Sequence, residues 1–258
     1  MSVEINKLSI IGSGNVATHL ALAFDDREIE VTHIYSRNEV TGRSIANRVN
    51  AEFIDDILEL PSGQLCIVCV PDDQVGEIIK KVPASIPVAY TSGSVEIKDI
   101  ETSNQLGVFY PLQTFSKDTA VDIFQVPFLI EAKDEAFAST LFDLAWQISR
   151  KVEYANSEKR REIHLAAVWI NNFVNHCIVQ ATAICNEYEL DPELLHPLLE
   201  ETVRKALNND PKLIQTGPAR RGDHRTIEKH LDMQEGIRKE LYEKLTKSIQ
   251  NIYRNDQL

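Results

Sequence analysis

Residues 7–37 decide the fold of this chain, and they read KLSIIGSGNVATHLALAFDDREIEVTHIYSR. The apolar run 8–11 ends in a glycine-rich turn, an amphipathic segment continues to Phe24, and a second apolar run covers residues 31–35. This order predicts a strand, a tight turn, a helix and another strand. It matches the fingerprint of a doubly wound α/β sheet that binds a dinucleotide, with Ala17 in the third glycine position.

The small residues of this turn each have a physical role. Gly12 allows the chain to turn sharply out of the strand, Gly14 lets the backbone approach a pyrophosphate, and Ala17 lets the helix pack closely. The positive end of the helix and its free N–H groups then face the phosphates. The alternative is a glycine turn that binds nothing. The predicted cofactor-binding residues of the turn are Gly12, Ser13, Gly14, Asn15 and Val16.

The end of the second strand favours NADP over NAD. An NAD site places a carboxylate there to bind the ribose 2′-hydroxyl, but this chain has Ser36 and Arg37, and its first carboxylate is Glu39. A hydroxyl and a guanidinium suit a 2′-phosphate, because arginine can hold it through two parallel hydrogen bonds. The alternative is that Arg37 is a solvated charge at the start of a helix.

The composition excludes some classes of partner. The chain has 258 residues, which predicts two domains, and its apolar content of 43% is that of an ordinary globular protein. A net charge of −12 argues against a nucleic-acid partner and against an anionic membrane surface. It does not exclude a small anionic substrate, because a few local arginines can override the global sign.

No metal site or targeting segment is expected. No apolar run approaches the roughly 20 residues that span a bilayer, and the chain enters its first strand without a signal peptide, so we expect a cytoplasmic protein. Cys66 and Cys69 lie on one apolar strand, where residues three apart point to opposite faces, so they are predicted to be core thiols. Cys177 and Cys185, in an apolar helix, are also predicted to be core residues.

A second strand end lies beside the glycine turn. The apolar run 65–70 has the character of a central parallel strand that is buried on both faces. Open α/β sheets bind ligands at this edge, so we predict that Val70, Pro71 and Asp72 line the cofactor cleft. Asp72 is also a candidate N-cap of the next helix.

Further strand ends supply candidates for substrate binding. The strand predicted over 86–90 opens onto residues 91–94, TSGS, which can offer backbone N–H groups and hydroxyls to a carboxylate or carbonyl. The alternative is a helix cap formed by Ser94. The substrate-binding candidates are Ser92 and, past the next strand, Gln113.

The alternation of strands and helices continues to residue 154 and then gives way to helices. We therefore predict a doubly wound, mostly parallel domain over residues 1–154 and an all-α domain over residues 155–258. In the predicted helix 134–148 the residues at core spacing are Phe137, Leu141, Leu144, Ala145 and Ile148.

The run 157–189 contains neither glycine nor proline and predicts one long helix. On a 3.6-residue period, His164, Asn171 and Asn175 share one face with Val168. Because an unpaired buried polar group costs roughly 1–3 kcal/mol, this polar stripe should have partners. Two interpretations stay open: a hydrogen-bond network inside a bundle, or one wall of an active site.

A basic cluster stands out in the acidic helical half. Arg220, Arg221, His224 and Arg225 follow the turn at 216–218 and form a candidate clamp for an anion, in which Arg221 binds the substrate. The alternative is a solvated loop. Asp223 is predicted to cap a helix that begins near Arg225, and a final helix is predicted over 232–253.

The N-terminal half resembles the NADP-binding domain of deazaflavin-dependent NADP oxidoreductases, pyrroline-5-carboxylate reductases and 6-phosphogluconate-dehydrogenase-like enzymes. The motifs that carry this resemblance are GSGNVA, YSR and VPDD. Nearly the whole chain resembles a bacterial family that joins a Rossmann-like domain to a helical domain of unassigned function. This second resemblance is carried by TSGS at 91–94, PLQTF at 111–115, HLAAVWINN at 164–172 and TGPARRGDHRT at 216–226. It implies a Rossmann-like α/β sheet, an all-α C-terminal domain and a homodimer formed through the helical domain.

The resemblance also implies roles on the long helix. In 6-phosphogluconate-type relatives, a lysine and an asparagine one helical turn later serve catalysis. By resemblance, His164 lies near the lysine position, and Asn171 or Asn172 supplies the amide. The chain departs from that pattern because histidine replaces lysine and the spacing is seven or eight residues rather than four.

We therefore expect an NADP-dependent oxidoreductase that transfers a hydride to or from a small, anionic carbonyl or imine compound. His164 is the predicted general acid/base, because imidazole titrates near neutral pH, and Asn171 orients the substrate. The alternative is a non-catalytic NADP sensor or scaffold. The substrate, the hydride direction and the use of a deazaflavin stay open. The predicted substrate contacts are Ser92, Gln113, Asn172 and Arg221.

Overall fold

A computed structural model describes residues 5–117 and 119–254 of the chain. The chain divides into two compact units, Met1–Asn172 and Phe173–Leu258. The division falls after the helix that follows residue 154, because that helix packs within the first unit through the buried side chain of Arg160. The functional domain boundary predicted after residue 154 stays a prediction.

The first unit is built on one eight-stranded sheet in the order β3-β2-β1-β4-β5-β6-β7-β8. Neighbouring strands are parallel except β6 and β7, which are antiparallel. The order reverses at β1, where β2 and β4 flank it, and such a switch point is where open α/β sheets bind ligands. The strands are β1 (Lys7–Ile11), β2 (Glu30–Tyr35), β3 (Glu52–Ile54), β4 (Leu65–Val68), β5 (Val88–Tyr90), β6 (Leu106–Pro111), β7 (Pro127–Ala132) and β8 (Lys151–Tyr154).

In the described residues of this unit, five α-helices and three short 3-10 helices accompany the sheet, and a π-helical turn follows the last α-helix. The α-helices are α1 (Asn15–Asp25), α2 (Glu39–Arg48), α3 (Asp72–Lys81), α4 (Glu135–Ile148) and α5 (Ser157–Val168), and the 3-10 helices are Ile57–Glu59, Ile97–Asp99 and Ile123–Gln125. The predicted core spacing of α4 is confirmed, since Phe137, Leu141, Leu144, Ala145 and Ile148 are all buried. The predicted doubly wound, mostly parallel α/β fold is confirmed as well.

The two faces of the sheet carry separate apolar cores. Cys69 belongs to the core that α1 and α4 cover, whereas Cys66 belongs to the core that α3 covers. Burial raises the pKa of both thiols, that of Cys69 to about 12. Both are therefore core thiols, as predicted. Of the other two cysteines, Cys185 is buried, but the prediction for Cys177 is wrong, because its place on α6 (Val174–Glu187) leaves it exposed.

In the second unit, the regular structure of residues 173–254 is helical. After α6 come a 3-10 helix at Pro192–Leu195, α7 (His196–Asn208), α8 (Pro211–Ile214), α9 (Pro218–Arg221), α10 (His224–Asp232) and α11 (Gly236–Tyr253). The last helix starts later than residue 232, because residues up to Asp232 belong to α10 and the chain turns at Met233. Asp223 caps α10, as predicted, by accepting a hydrogen bond from the Thr226 N–H at 3.1 Å.

The run 157–189 is not one uniform α-helix. Five π-helical residues, Trp169–Phe173, separate α5 from α6. A π turn bonds i to i+5 and rotates the residues that follow it, and such turns are frequent at functional sites. Within the described residues, no helix has the length and apolar character needed to cross a membrane.

Candidate functional site

A cleft of about 920 Å³ lies within the first unit. It is bounded by the start of α1, by the segments that follow β4, β5 and β6, and by α5 with its π-helical extension. The cleft therefore sits at the carboxyl ends of the central strands. The predicted site residues that line it are Gly14, Asn15, Val16, Val70, Pro71, Asp72, Ser92, Gln113, His164, Asn171 and Asn172.

The two glycines of the turn are required for different reasons. Gly12 has φ +124°, and a Cβ there would lie 2.2 Å from the backbone oxygen of Cys69. Gly14 has φ −80°, and no described atom outside its own neighbourhood would lie within 4 Å of its Cβ. Protein packing thus explains Gly12 but not Gly14. A side chain at Gly14 would project into open space at the cleft, where a ligand's phosphates can come close.

The start of α1 fits a pyrophosphate. In the described part of the chain no side chain caps this helix, and its first turn holds no acidic residue. The side chain of Asn15 is committed elsewhere, because its Nδ2 donates to the Phe115 backbone oxygen at 2.7 Å. By contrast, Asn38 caps α2. The backbone N–H groups of α1 are thus left to bind an anion, as the fold of a dinucleotide site requires.

Hydroxyl groups join the glycine turn to the end of β2. The Oγ atom of Ser13 lies 2.7 Å from Oγ of Ser36 and 2.6 Å from Oγ1 of Thr41. Arg37 is exposed, and its guanidinium donates to Oε1 of Gln74 at 2.5 Å. Because a guanidinium has five N–H donors, this bond leaves most of its capacity for a phosphate.

His164 is paired with a tyrosine that the sequence analysis did not single out. The hydroxyl of Tyr110 lies 3.1 Å from Nδ1 of His164. Burial raises the pKa of the Tyr110 phenol, and the negative charge of Asp72 acts in the same direction. Both side chains line the cleft. The pairing crosses 54 positions of sequence, and the only local signal was a tyrosine at the carboxyl end of a strand.

Gly93 makes room for this pair. A Cβ at this position would lie 2.6 Å from Cζ of Tyr110 and 2.8 Å from Nδ1 of His164. Such contacts are far shorter than van der Waals distance. The glycine of the TSGS motif therefore allows the loop after β5 to pack directly against both rings.

The hydroxyls of the TSGS loop have structural partners. The Oγ atom of buried Ser92 accepts hydrogen bonds from the N–H groups of Ser94 at 3.2 Å and Val95 at 3.0 Å. Ser94 does not cap a helix; its hydroxyl donates to the carboxylate of Asp72. Asp72 is not an N-cap either, because α3 begins at Asp72 itself and Pro71 occupies the cap position. Since two N–H groups occupy the Ser92 oxygen, its hydroxyl can serve a ligand only as a donor.

The π-helical turn divides the predicted polar stripe. His164 and Val168 line the cleft, and so do the consecutive residues Asn171 and Asn172 within the turn. The predicted face does not run regularly to Asn175, because the π-helical turn comes before that residue, which lies on α6. The cleft thus receives two neighbouring amides instead of one amide per turn.

A buried ion pair anchors α5 to the sheet. Arg160 is 1% exposed and bonds to the carboxylate of Glu131 on β7, while its other terminal nitrogen donates to the Val95 backbone oxygen at 2.5 Å. The hydroxyl of Ser157 donates to both oxygens of Glu131, at 3.0 Å and 2.9 Å. Arg160 thereby connects α5 to β7 and to the loop that follows β5. Sequence reasoning missed it because it sits in a charged run that is typical of a solvated helix start.

The basic cluster belongs to the second unit. Arg221 is exposed at the end of α9, and the guanidinium of Arg220 lies 3.9 Å from the ring centroid of Tyr253. Hydrogen bonds from the Thr226 hydroxyl and N–H hold the pKa of Asp223 below its usual value. In the first unit, the described lining of the cleft includes no arginine or lysine.

Comparison with known proteins identifies the family. Residues 126–249 match the family described as "Domain of unknown function (DUF2520)". A Bacteroides fragilis protein described as a "putative NADP oxidoreductase" is 36% identical, with a TM-score of 0.88 over 96% of this chain and 100% of that one. A Thermotoga maritima protein is 23% identical, with a TM-score of 0.72 over 97% and 100%. No curated protein matches the chain.

More distant structures share the fold. Plasmodium falciparum pyrroline carboxylate reductase, whose structure has NADP bound, is 12% identical, with a TM-score of 0.59 over 96% of this chain and 99% of that one. This likeness agrees with the predicted resemblance in the fold. The chain belongs to a Rossmann-like NADP oxidoreductase family, and the part that matches DUF2520 begins within the sheet, at β7.

Proposed function

We propose that this protein is an NADP-dependent oxidoreductase that transfers a hydride to or from a small carbonyl or imine compound. One observation carries the proposal: the Tyr110–His164 pair lines the same cleft as Gly14, Asn15 and Val16, where we propose that the phosphates bind. A pure nucleotide sensor has no need of a titratable side chain beside the cofactor site. The description of the Bacteroides fragilis protein as an NADP oxidoreductase supports the same conclusion.

The residues of the first unit divide into a cofactor part and a substrate part. The N–H groups at the start of α1 and the open space at Gly14 would hold the pyrophosphate, and Ser36 and Arg37 would hold the 2′-phosphate. Val70, Pro71 and Asp72 would flank the cofactor on the side of β4. When bound, NADPH supplies the hydride.

The substrate part handles the proton. As the substrate carbon is reduced, the protonated His164 ring gives a proton to the carbonyl oxygen or imine nitrogen, and reversal of this step serves oxidation. Asn171 and Asn172 would orient the substrate through their amides, and Ser92 and Gln113 would donate to its polar groups. The proposal that Arg221 binds an anionic group of the substrate rests on sequence alone.

We also propose that the protein forms a homodimer through its helical half. Several large apolar side chains of the second unit are strongly exposed, among them Leu194, Leu207 and Leu213. A monomer rarely leaves so many apolar groups in water, and a second copy of this unit would bury them.

A substrate panel tests the activity. We expect NADPH to be oxidised in the presence of at least one aldehyde, keto acid or cyclic imine. Replacement of His164 by alanine should then lower kcat by roughly 10²- to 10⁴-fold and leave NADPH affinity unchanged, because a general acid is lost and the cofactor contacts are not. The matched control is His33→Ala, which removes a histidine of β2 outside the cleft lining. NADPH binding without turnover of any substrate would favour the sensor, and full activity of His164→Ala would exclude its role.

The choice of cofactor is tested at Arg37. We expect Arg37→Ala to raise the Kd for NADPH about 10- to 100-fold. A hydrogen bond to a charged group contributes about 1.5–3 kcal/mol of binding free energy, and its loss changes the Kd on this scale. The Kd for NADH should stay the same, because NADH lacks the 2′-phosphate. The control is Arg43→Ala. In the unaltered protein, the guanidinium of Arg43 is paired with Glu39 and lies over the Phe53 ring. Equal effects on both cofactors would place the 2′-phosphate elsewhere.

A further inference from the structure

His164 can serve a substrate only if one particular ring nitrogen faces it. An imidazole has two nitrogens, and a ring that can flip presents either of them. In this structure Nδ1 is the nitrogen beside the Tyr110 hydroxyl, at 3.1 Å. In the described part of the chain, this ring is the hydrogen-bond partner of that hydroxyl. Nε2 is then the nitrogen that remains for a ligand.

We propose that Tyr110 is a positioning residue that holds Nδ1 of His164, so that Nε2 alone exchanges the proton with the substrate. This inference rests on the proposed oxidoreductase function and names a residue that the fold resemblance does not supply. A phenol suits the task because its oxygen can accept a hydrogen bond from Nδ1–H of the imidazolium and also from Nδ1–H of the neutral ring that remains once Nε2 has given up its proton. The same contact therefore persists in both protonation states.

The proton balance follows from this arrangement. In the reducing direction, the imidazolium Nε2–H bond breaks and a proton forms a bond to the substrate oxygen or nitrogen, while the hydride completes the two-electron reduction of the carbon. The proton on Nδ1 stays on that nitrogen and keeps its hydrogen bond to the Tyr110 oxygen. Tyr110 keeps its own proton throughout, and the burial that disfavours its anion supports this role.

Packing supports the same assignment independently. Gly93 contacts both rings, and its missing Cβ is what allows the pair to sit under the loop. The loop, in turn, is held by the bond between Arg160 and the Val95 backbone oxygen. The orientation of His164 is thus fixed by a tyrosine on β6 and by a loop that follows β5.

The experiment combines NMR with kinetics on the full chain. In protein labelled with ¹⁵N-histidine, the His164 signals are assigned by their loss in His164→Gln. We expect Tyr110→Phe to move the Nδ1 resonance to that of a nitrogen without a hydrogen bond. We also expect a decrease in kcat of about 10- to 100-fold, the scale that a small misplacement of a reacting group produces. The substrate KM and the NADPH Kd should stay within about twofold.

Two further variants complete the design. Gly93→Ala should move the Nδ1 resonance as well, because its methyl group forces the two rings apart and its backbone conformation suits alanine. Tyr154→Phe is the matched control, since Tyr154 stacks on Phe142 at the sheet edge outside the cleft. It should change neither the resonance nor kcat.

The outcomes separate this inference from the proposed function. An unchanged Nδ1 resonance in Tyr110→Phe overturns the inference, whatever the activity. A moved resonance with unchanged kcat overturns the positioning role in an active enzyme. Absence of turnover in the unaltered protein contradicts the proposed function, while the Nδ1 signal still decides whether Tyr110 holds that nitrogen.

Discussion

Replacement of Gly12 by alanine is expected to lower the free energy of unfolding by at least about 3 kcal/mol and to abolish measurable NADPH binding. The backbone at φ +124° costs roughly 1–3 kcal/mol for a residue with a Cβ. The Cβ would also lie 2.2 Å from the Cys69 backbone oxygen, so β1 and β4 must separate at their carboxyl ends. Gly14 and Cys69, which follow these strand ends, line the cleft. Urea denaturation and NADPH titration measure the two effects.

Alanine variants of two other glycines serve as controls for Gly12→Ala. One separates backbone strain from the steric clash, and the other separates loss of stability from loss of NADPH binding. Gly63 has φ +78°, but no described atom would lie within 4 Å of a Cβ there. Gly63→Ala should therefore lose only the stability that backbone strain costs. Gly14→Ala should keep the stability of the unaltered protein, because neither φ nor packing opposes a methyl group there. It should still weaken NADPH binding, because the methyl group occupies the path of the pyrophosphate. A Gly12→Ala protein as stable as Gly63→Ala would contradict the clash, and tight NADPH binding by Gly14→Ala would contradict the phosphate site.

Replacement of Arg160 by methionine is expected to lower the free energy of unfolding by about 3–5 kcal/mol. The side chain is 1% exposed, and its loss leaves the Glu131 carboxylate largely buried without its cation. Leaving one charge of a buried pair unpaired is what makes such a change costly. The double variant Arg160→Met with Glu131→Gln should recover much of this stability, because it removes the second charge as well.

The adjacent residue supplies the matched control. Arg161 is also on α5 and also bonds to a glutamate, Glu96, but more than half of its side chain is exposed. Arg161→Met should therefore cost less than about 1 kcal/mol, as exposed ion pairs usually do. Equal losses from the two arginine variants in urea denaturation would show that the buried pair does not anchor α5.

The fold could be predicted because its evidence is local. The glycine turn, the apolar strands and the 3.6-residue spacing of α4 each lie within a short stretch, and all of them are confirmed. The opposite faces of Cys66 and Cys69 follow from the alternation of a strand. Each of these features depends only on residues that are close in sequence, so the spacing of apolar residues is enough to predict it.

The contacts of the candidate site could not be predicted, because they join distant segments. Tyr110 and His164 meet across 54 positions, and Arg160 finds Val95 across 65. A charged residue in a charged run predicts a solvated position, and only the path of β7 brings Glu131 to Arg160. The π turn at Trp169–Phe173 also has no signal in hydrophobic spacing, so ideal helical geometry predicts a polar stripe that continues to Asn175.

The central claim is that the start of α1 binds the phosphates of NADP. Calorimetric titration of the full chain with NADPH, with NADH and with Gly14→Ala as the comparison protein tests it most directly. We expect saturable binding of NADPH at one site per chain, weaker binding of NADH, and a clear loss of NADPH affinity in Gly14→Ala. Absence of binding by either nucleotide to the folded protein, or equal NADPH affinity in Gly14→Ala, would contradict the claim.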